Sequence, residues 1–384
     1  MLSPYEVPVY ARIPVRVARG RGCTLWDEAG REYLDMYGGH AVAVTGHCHP
    51  RVVAAVQAQA ERLLFYSNAV PLAVRDELLE LLAGMVPDGL GHVFLVNSGA
   101  EANEQALALA RRLTGRPGVV SVAGGFHGRT VATLAASGIQ HYRDLAVSGG
   151  GAELAARTIV VPFDDAGALS AAVDDATAAV ILEPVQGLAG ARDLSEAFLR
   201  RAREACDAHG ALLVFDEVQC GTGRPGAFTA SQLYGVRPDV LTLAKGIAAG
   251  VPMGAVMMTA EAASELKAGD LGTTFGGGPV ACAAALANLA VIRDEDLPGN
   301  AARMEAFLRR RLAGLPGVQR VTGKGLLLGA VLDRPAREVQ GALLDRGVIA
   351  GSSVDPAVLR LLPPLVLGEA DADRFAEVLE EVLA

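Results

Sequence analysis

Six continuous apolar runs between residues 92 and 244 dominate the pattern of hydrophobic and polar positions. Most are separated by stretches in which apolar residues recur at the spacing of a helix. The runs are "HVFLV" (92–96), "GVVSVA" (118–123), "RTIVVP" (157–162), "AAVILEP" (178–184), "ALLVF" (211–215) and "DVLTLA" (239–244). Strands without a polar face that alternate with helices predict a mostly parallel sheet covered on both faces.

The flanking segments have a different pattern. Residues 1–50 contain short extended pieces around a turn predicted at "DEAG" (27–30), and helical periodicity begins in "RVVAAVQAQAERLLF" (51–65) and "AVRDELLELLAGM" (73–85). Later helices are predicted at "AARMEAFLRRRLAGL" (301–315) and "DADRFAEVLEEVL" (371–383), with a strand at "GKGLLLGAVL" (323–332). We predict an N-terminal segment (1–50) that contributes to a small domain, a large domain (51–285) and a C-terminal small domain (286–384).

Composition narrows the class of protein. With 384 residues, of which 51% are hydrophobic, the chain can bury a large core. A net charge of −9 without a dense basic run argues against binding to nucleic acid or to anionic membranes. Five cysteines without CxxC spacing predict reduced thiols. No segment has the pattern of a signal peptide or a membrane span, so we expect a cytoplasmic location.

Lysine is rare in this sequence. Only Lys245, Lys267 and Lys324 are lysine among the 34 basic residues, so a generic positive charge is almost always supplied by arginine. A lysine is therefore expected where a primary amine is required, because only that group can lose its proton and attack a carbonyl. Lys245 follows an apolar run, whereas Lys267 and Lys324 are predicted to be surface residues.

Ligands of parallel sheets bind beyond the carboxyl ends of the strands, so the residues after each run are candidates for chemistry. "NSGAEAN" (97–103) follows the first run, and Ser98, Gly99 and Ala100 there form either a phosphate site at a helix N-terminus or only a tight turn. In "GGFHGRT" (124–130), Phe126 is either a core residue or a residue that contacts a ligand. The guanidinium group of Arg129 could bind a carboxylate through two parallel hydrogen bonds.

Asp216 and Lys245 follow two further runs. A buried, unpaired carboxylate costs several kcal/mol, so Asp216 needs a cation or a hydrogen-bond donor, and a structural arginine is one alternative. Adjacent strand ends would let Asp216 and Lys245 face one cavity. Glu183 and Glu217 are expected to fix backbone groups or neighbouring side chains. An amine, an acid and a phosphate site together suggest pyridoxal phosphate, which is bound by a lysine and an acidic partner of its ring nitrogen.

Six motifs, in this order, resemble those of the class III (omega-amino-acid) aminotransferases of fold-type I. They are "NSGAEAN" (97–103), "FHGRT" (126–130), "EPVQG" (183–187), "LLVFDEVQ" (212–219), "TLAKG" (242–246) and "TTFGGGP" (273–279). The length is similar to that of the acetylornithine aminotransferase branch. The resemblance implies an α/β fold, that of a fold-type I PLP-dependent transferase with a large mostly parallel-sheet domain and a smaller α+β domain.

The resemblance also implies roles for individual residues around pyridoxal 5′-phosphate. Lys245 matches the lysine that binds the cofactor covalently, and Asp216 matches the partner of the ring nitrogen. Gln219 matches the residue that hydrogen-bonds the phenolic oxygen of the cofactor. Phe126 and Val218 match the side chains that pack on the two faces of the ring. Lys245 and Asp216 are therefore the expected catalytic residues.

The phosphate of the cofactor is expected to contact two segments. Gly99 and Ala100 match the phosphate loop, and Thr274 matches a threonine that reaches the phosphate of the cofactor in the neighbouring subunit. The resemblance therefore implies a homodimer with active sites at the subunit interface.

Substrate residues follow from the same resemblance. Arg129 matches the arginine that binds the substrate carboxylate, and Arg360 in "LRLLPPL" matches an arginine that binds the carboxylate of glutamate. Thr273 occupies the position at which the acetylornithine branch usually has a serine that contacts the substrate. Leu188 replaces a glutamate that pairs with the C-terminal arginine in many members, so we expect Arg360 to remain available to carboxylates. Gly278 stands where asparagine is usual.

The implied reaction moves the terminal amino group of N2-acetylornithine, or of a similar N-blocked diamino acid, to 2-oxoglutarate. The products are a semialdehyde and glutamate, and the expected pathway is arginine biosynthesis. Alternatives are carrier-protein-linked lysine in lysine biosynthesis, ornithine or 4-aminobutyrate as donor, an aminomutase, and a non-catalytic phosphate-binding protein. No metal site is predicted, because the adjacent residues of "GHCHP" (46–50) point apart and no second ligand pair follows.

Overall fold

Strands and helices alternate along residues 5–384, which this computed structural model describes; residues 1–4 of the predicted N-terminal segment lie outside them. The strands are β1 (Val17–Arg21), β2 (Thr24–Asp27), β3 (Glu32–Asp35), β4 (His92–Val96), β5 (Gly118–Val122), β6 (Thr158–Val161), β7 (Thr177–Leu182), β8 (Val185–Gln186), β9 (Arg192–Asp193), β10 (Leu212–Asp216), β11 (Val240–Leu243), β12 (Gly254–Met258), β13 (Val318–Lys324), β14 (Leu327–Leu332), β15 (Val348–Ile349) and β16 (Val358–Leu361). The helices are α1 (Gly38–Ala41), α2 (Pro50–Arg62), α3 (Ala73–Met85), α4 (Gly99–Thr114), α5 (Val131–Ala135), α6 (Gln140–Ala146), α7 (Ala152–Ala156), α8 (Ala166–Ala172), α9 (Glu196–His209), α10 (Ala230–Tyr234), α11 (Ala260–Ser264), α12 (Pro279–Asp294), α13 (Leu297–Leu312), α14 (Ala336–Asp345) and α15 (Glu369–Leu383). A π-helical turn covers Val147–Gly151, and a 3₁₀ helix covers Lys245–Ala248.

A seven-stranded sheet forms the centre of the molecule, with the strand order β4-β12-β11-β10-β7-β5-β6. Strands β11, β10, β7, β5 and β6 run parallel to their neighbours in that series. Strand β12 is antiparallel to both β11 and β4. All six apolar runs lie in this sheet, so the predicted α/β fold with a mostly parallel sheet is confirmed.

Strand β10 shows why the central strands have no polar face. Val214 belongs to a hydrophobic cluster with Ala106 of α4, whereas Leu213 and Phe215 belong to a cluster with Phe198 of α9. Successive side chains of a strand point to opposite faces, so helices bury both faces of the sheet. Only the end of the strand is left to carry polar groups into a ligand site.

Strand β12 was not predicted from the sequence. The run "GAVMM" begins with a glycine shortly after Pro252, and both residue types are typical of turns. An antiparallel neighbour needs no crossover helix, so the alternation of strands and helices gave no sign of this strand. The connection from β11 to β12 is instead the short 3₁₀ helix that begins at Lys245.

Residues 5–384 form three smaller sheets: one pairs strands from the two ends of the chain, one is C-terminal, and one is the two-stranded sheet β8-β9. Strand β15 pairs in parallel with β3 of the β2–β3 hairpin, whose predicted "DEAG" turn is confirmed. Strands β13, β14 and β16 form the second sheet. The single strand predicted at 323–332 is wrong: the chain reverses at Gly325, where φ is 56°, so the end of β13 and all of β14 occupy this range.

The predicted domain boundary near residue 285 falls inside α12, and the division into domains remains a prediction. Within residues 5–384, none of the helices is both long and apolar enough to cross a membrane.

Candidate active site

A cavity of about 620 Å³ opens at the carboxyl ends of the central strands. Residues that follow β4, β5, β7, β10 and β11 all contribute to its wall. Nine of the residues predicted from the sequence line it: Gly99, Ala100, Phe126, Arg129, Asp216, Val218, Gln219, Lys245 and Arg360. The roles given to them remain predictions, but the cavity brings the nine together from distant parts of the chain.

The N-terminus of α4 lines the cavity through Ser98, Gly99 and Ala100. Ser98 is the N-cap residue, and its Oγ accepts a hydrogen bond from the N–H of Glu101 at 3.2 Å. The first N–H groups of a helix have no acceptor within it, and the helix dipole adds partial positive charge there. This end of α4 therefore has the donors that a phosphate group requires.

Two glycines let backbone segments approach closely beside this helix end. A Cβ atom on Gly99 would lie 2.5 Å from Cγ1 of Val218, and one on Gly128 would lie 2.8 Å from Cβ of Ala100. Gly128 also has a φ of 140°, which L side chains rarely adopt. The absence of side chains at both positions keeps the start of α4, the 126–128 segment and Val218 in direct contact.

Asp216 is 2% exposed and accepts hydrogen bonds on both oxygens. Its Oδ2 accepts from Nδ2 of Asn103 at 2.7 Å and from Nδ1 of His127 at 2.8 Å, and its Oδ1 accepts from the N–H of Val218 at 3.1 Å. The alternative of a structural arginine is wrong, because no arginine within residues 5–384 pairs with Asp216. These donors offset the cost of desolvation and fix the orientation of the carboxylate.

The residues that hold Asp216 were not predicted from the sequence. Thr242 donates from Oγ1 to Oδ1 of Asn103 at 2.6 Å, and Asn103 also donates to the carbonyl oxygen of His127 at 2.7 Å. Both Asn103 and Thr242 are buried. The sequence did contain one sign of Thr242, because it is the only polar residue in the apolar run "VLTLA". A buried hydroxyl group needs a hydrogen-bond partner.

Lys245 begins the 3₁₀ helix and has a φ of 44°, a strained value for a residue other than glycine. Strain of this kind is concentrated at functional sites. Burial lowers the pKa of the Lys245 amine, while the carboxylates of Asp216 and Glu183 oppose this shift. A lysine with a lowered pKa is more often uncharged and therefore a better nucleophile.

Glu183 lines the cavity but is occupied with backbone groups. Its Oε1 accepts from the N–H of Phe126 at 2.8 Å, and its Oε2 accepts from the N–H of Gly187 at 3.2 Å. Burial and repulsion by Asp216 raise the pKa of Glu183 to about 7. Glu183 thus fixes the backbone of the segment that carries Phe126.

Glu217 points away from the cavity, although it is adjacent to Asp216. Its carboxylate accepts from the N–H groups of Ala230 and Ser231, the first residues of α10. Burial raises the pKa of Glu217 to about 7, and these two hydrogen bonds oppose the rise. The side chain caps a helix and contributes no group to the cavity wall.

Arg129 lies next to two aromatic rings of the cavity wall. The rings of Phe126 and Tyr142 lie 4.9 Å apart, and the guanidinium carbon of Arg129 lies 5.7 Å from the centre of the Tyr142 ring. Arg129 is exposed and forms no ion pair with another residue between 5 and 384. Its fork of donors is therefore open to a carboxylate in the cavity.

Arg360 is 2% exposed and has only neutral hydrogen-bond partners within residues 5–384. Its Nε donates to the carbonyl oxygen of Ser352 at 2.6 Å, Nη1 to Oε1 of Gln219 at 3.3 Å, and Nη2 to the hydroxyl of Tyr37 at 3.1 Å. Leu188 lines the same cavity and offers no charge to it. The positive charge of Arg360 is thus not neutralised by a carboxylate.

The segment 273–278 lies outside the cavity wall of the single chain. Oγ1 of Thr273 accepts from Nδ2 of Asn97 at 3.1 Å and from the N–H of Gly276 at 3.2 Å, whereas Thr274 is exposed. The predicted roles of both threonines remain predictions. Gly278 is the N-cap residue of α12, where asparagine and glycine are both favoured, which explains this departure from the motif.

The remaining candidates do not line the cavity. Nε2 of His47 lies 2.7 Å from Oδ2 of Asp35, and Nδ1 of His49 accepts from the first turn of α2, so "GHCHP" is a turn before a helix. Lys267 is exposed, and Nζ of Lys324 lies 4.0 Å from Oδ2 of Asp193.

The residues of the cavity fit pyridoxal phosphate. They supply a buried amine, a fixed carboxylate, an aromatic ring and a helix N-terminus, all in the wall of one cavity. Lys245, Asp216, Phe126 and the 98–100 segment would hold its aldehyde, ring nitrogen, ring face and phosphate respectively.

Comparison with known proteins supports pyridoxal phosphate as the cofactor. The family model described as "Aminotransferase class-III" matches residues 6–383. The acetylornithine aminotransferase of Methanosarcina acetivorans is 41% identical over 381 residues, which cover 99% of this chain and 94% of that protein. Acetylornithine aminotransferase 1 of Bordetella pertussis is 43% identical over 385 residues, with 97% and 95% covered.

Two solved structures are similar over nearly the whole chain. The ornithine aminotransferase from Toxoplasma gondii ME49 has a TM-score of 0.91 at 33% identity, with 99% of this chain and 92% of that chain covered. The acetylornithine aminotransferase from Elizabethkingia anophelis has a TM-score of 0.85 at 28% identity, with 99% and 96% covered. This chain therefore belongs to the class-III aminotransferases, the pyridoxal-phosphate enzymes of fold-type I.

Proposed function

We propose that this aminotransferase moves the terminal amino group of N2-acetylornithine, or of a similar N-blocked diamino acid, to 2-oxoglutarate. The products are a semialdehyde and glutamate, and the pathway we propose is arginine biosynthesis. Full-length relatives named acetylornithine aminotransferase, 41% and 43% identical, support this choice of donor.

One observation carries the proposal: two arginines without a carboxylate partner line the cavity that contains Lys245. Arg129 and Arg360 both lie in this wall, and neither forms an ion pair with a residue between 5 and 384. A donor with one carboxylate and an acceptor with two are the ligands that such a pair favours. We assign Arg129 to the carboxylate of the amine donor and Arg360 to a carboxylate of 2-oxoglutarate and glutamate.

The chemistry divides between two residues of the chain. Pyridoxal phosphate, when bound, supplies an electron sink for negative charge that develops at the substrate carbon. Lys245 would hold the cofactor, and its free amine would move the proton at the substrate carbon, a task suited to an amine of lowered pKa. Asn103 and His127 fix Asp216, whose negative charge would hold a proton at the ring nitrogen of the cofactor.

A donor panel tests the assignment. Acetylornithine, succinylornithine, ornithine, lysine and 4-aminobutyrate would each be assayed with 2-oxoglutarate by the glutamate formed. We expect the highest kcat/KM for acetylornithine and measurable turnover of succinylornithine. A higher kcat/KM for ornithine or 4-aminobutyrate would contradict the proposed donor but not the aminotransferase reaction.

Ornithine is the second candidate donor. The specific observation in its favour is the TM-score of 0.91 to the Toxoplasma gondii ornithine aminotransferase. The same panel separates the two donors, because free ornithine carries a second charged amine that acetylornithine lacks.

We also propose a homodimer in which Thr274 contacts the cofactor phosphate in the partner's site. An exposed apolar patch supports this proposal: the rings of Phe65 and Phe275 lie 5.1 Å apart and are 41% and 65% exposed. Thr274 is adjacent to Phe275 and is itself exposed in the single chain. A monomer in sedimentation equilibrium of the holoenzyme would contradict the proposal.

The cellular location that we propose is the cytoplasm. All five cysteines of the chain are free thiols, which suits a reducing compartment.

A further inference from the structure

Arg360 is part of a closed ring of hydrogen bonds that no acidic side chain of residues 5–384 enters. Its Nη1 donates to Oε1 of Gln219 at 3.3 Å, and Nε2 of Gln219 donates to the carbonyl oxygen of His40 at 3.4 Å. The hydroxyl of Tyr37 accepts from Nη2 of Arg360 at 3.1 Å and lies 2.5 Å from Nδ1 of His40. Tyr37, His40 and Gln219 thus connect one end of the Arg360 guanidinium group to the other.

The direction of the Tyr37 hydroxyl hydrogen depends on the tautomer of His40. Arg360 donates to the hydroxyl oxygen, and in the His40 tautomer protonated at Nε2 the hydroxyl donates its hydrogen to Nδ1. Burial and the charges of Arg360, Lys245 and Arg129 lower the pKa of His40, which favours the neutral ring that this arrangement needs. Tyr37 is therefore oriented by His40 and in turn orients Arg360.

The backbone that carries His40 is strained and firmly anchored. Residues 38–41 have φ values of 55°, 56°, 65° and 67°, and a left-handed conformation is strained for the non-glycine residues His40 and Ala41. Oδ1 of Asp35 accepts from the N–H groups of Tyr37 and Gly38, both at 2.9 Å. A Cβ atom on Gly38 would lie 2.7 Å from the carbonyl oxygen of Leu362, so the turn fits only glycine there. Strain that the surrounding structure maintains at a cavity wall indicates a functional constraint.

We propose that Tyr37 and His40 are positioning residues that present Arg360 to a carboxylate of the acceptor and so determine specificity for 2-oxoglutarate and glutamate. The inference rests on the proposed function. Neutral acceptors satisfy three N–H groups of Arg360 but leave its positive charge and its two other N–H groups for a ligand. A carboxylate can then bind without first displacing an acidic side chain, because no acidic side chain of residues 5–384 pairs with Arg360 and Leu188 in the same cavity wall is uncharged.

Binding of glutarate to the holoenzyme tests this inference without turnover, since glutarate has two carboxylates but no keto group. Calorimetry would compare the wild-type protein with Tyr37→Phe and His40→Phe, which keep an aromatic ring at each position but remove the hydroxyl or the acceptor. We expect each variant to bind glutarate about 5- to 10-fold more weakly, the loss of one hydrogen bond in the Arg360 network. Tyr33→Phe is the matched control, because the Tyr33 hydroxyl contacts Asp27 in the β2–β3 hairpin, and it should bind glutarate like the wild-type protein.

A double variant separates positioning from a direct contact. If His40 acts through Tyr37, adding His40→Phe to Tyr37→Phe changes glutarate affinity by less than about 2-fold. Losses that multiply, or single variants that bind glutarate like the wild-type protein, would overturn the inference. Leu188→Glu, which introduces a carboxylate beside Arg360, should weaken glutarate binding by at least about 10-fold through an internal ion pair. Unchanged binding in this variant would also count against an open Arg360.

Failure of the proposed function has a different signature. A wild-type holoenzyme that neither binds glutarate nor forms glutamate from 2-oxoglutarate would refute the proposed acceptor. A wild-type protein that does both, with Tyr37→Phe and His40→Phe equal to it in glutarate affinity, refutes only the positioning role.

Discussion

Asp216 and Glu217 are adjacent and almost equally buried, yet their surroundings give them separate tasks. Asp216 receives hydrogen bonds from Asn103 and His127 and lines the cavity, whereas Glu217 accepts from the first N–H groups of α10. Alternation along the chain explains the difference, because neighbouring residues at a strand end point in opposite directions. One carboxylate is therefore available to a ligand, and the other stabilises a helix terminus.

Replacing each acid by its amide should separate these tasks. We expect Asp216→Asn to lower kcat/KM by about 10²- to 10³-fold, because it removes a charge aimed at the reacting system. Glu217→Gln should cost about 1–3 kcal/mol in the free energy of unfolding, because one N–H of α10 loses its acceptor, while kcat/KM stays close to that of the wild-type protein. Steady-state kinetics and urea unfolding measure the two effects. A larger loss of kcat/KM in Glu217→Gln than in Asp216→Asn would reverse the assignment.

The raised pKa of Glu217 also predicts how stability depends on pH. Its pKa rises from 4.5 in the unfolded chain to about 7 in the folded protein, so the folded state retains a proton that the unfolded state loses. The stabilising contribution is complete below pH 4.5 and is lost as the pH rises towards 7, a difference of roughly 3 kcal/mol. Between pH 5 and 8, the free energy of unfolding of the apoenzyme should therefore fall more steeply in the wild-type protein than in Glu217→Gln. Parallel profiles would show that Glu217 ionises normally.

At the scale of elements, prediction from the sequence succeeded best where the pattern repeats. The six buried strands and the long helices α2, α3 and α15 were visible from apolar runs and helical spacing. Strand β12 was not, because an antiparallel strand reached through a 3₁₀ helix breaks the alternation of strands and helices. The start of β14 lies later than the apolar run indicates. The glycines before the strand continue the apolar pattern, but the chain reverses its direction there.

The start of α4 provides a prediction at this scale. Gly99→Ala should weaken cofactor binding and destabilise the protein by about 1–3 kcal/mol, because the new Cβ atom would lie 2.5 Å from Cγ1 of Val218. Val218→Ala removes that atom, so the double variant Gly99→Ala/Val218→Ala should regain part of the lost affinity. Equilibrium dialysis against pyridoxal phosphate and urea unfolding of the apoenzyme measure both quantities. A Gly99→Ala variant with wild-type affinity would show that α4 and Val218 can move apart without effect on the site.

At the scale of the whole molecule, residues with distinctive chemistry were predictable from the sequence and the residues that support them were not. Lys245, Asp216 and Arg129 stood out as a rare amine, a buried acid and an arginine between glycines, and few structural roles require such residues. Tyr37 and His40 did not stand out, because the partners on which their proposed role depends, Arg360 and Gln219, lie more than 150 positions away in the sequence. Such contacts are set by the fold as a whole, and periodicity or motif spacing carries no information on them.

Active sites shared between subunits can be tested by mixing two defective variants. Lys245→Ala removes the amine of its own site, and Thr274→Val removes the hydroxyl that we propose for the partner's phosphate site. With sharing, one site of a mixed dimer combines both defects, while the other combines an intact Lys245 with an intact Thr274 of the partner subunit. After unfolding and refolding together in equal amounts, about one quarter of the sites should be intact if the subunits pair at random.

The assay is glutamate formation at a limiting concentration of pyridoxal phosphate. At that concentration, weaker binding of the cofactor phosphate lowers the measured rate. Each variant refolded alone is the control and should gain no activity. If Thr274 contacts only the cofactor of its own chain, every site of a mixed dimer retains one defect, so the absence of complementation would contradict sharing. The double variant Lys245→Ala/Thr274→Val, refolded with the wild-type protein, gives the reciprocal result. With sharing, the wild-type lysine of each mixed dimer faces a partner loop that carries the Thr274→Val substitution, and cofactor affinity falls at that site, whereas without sharing it stays at the wild-type value.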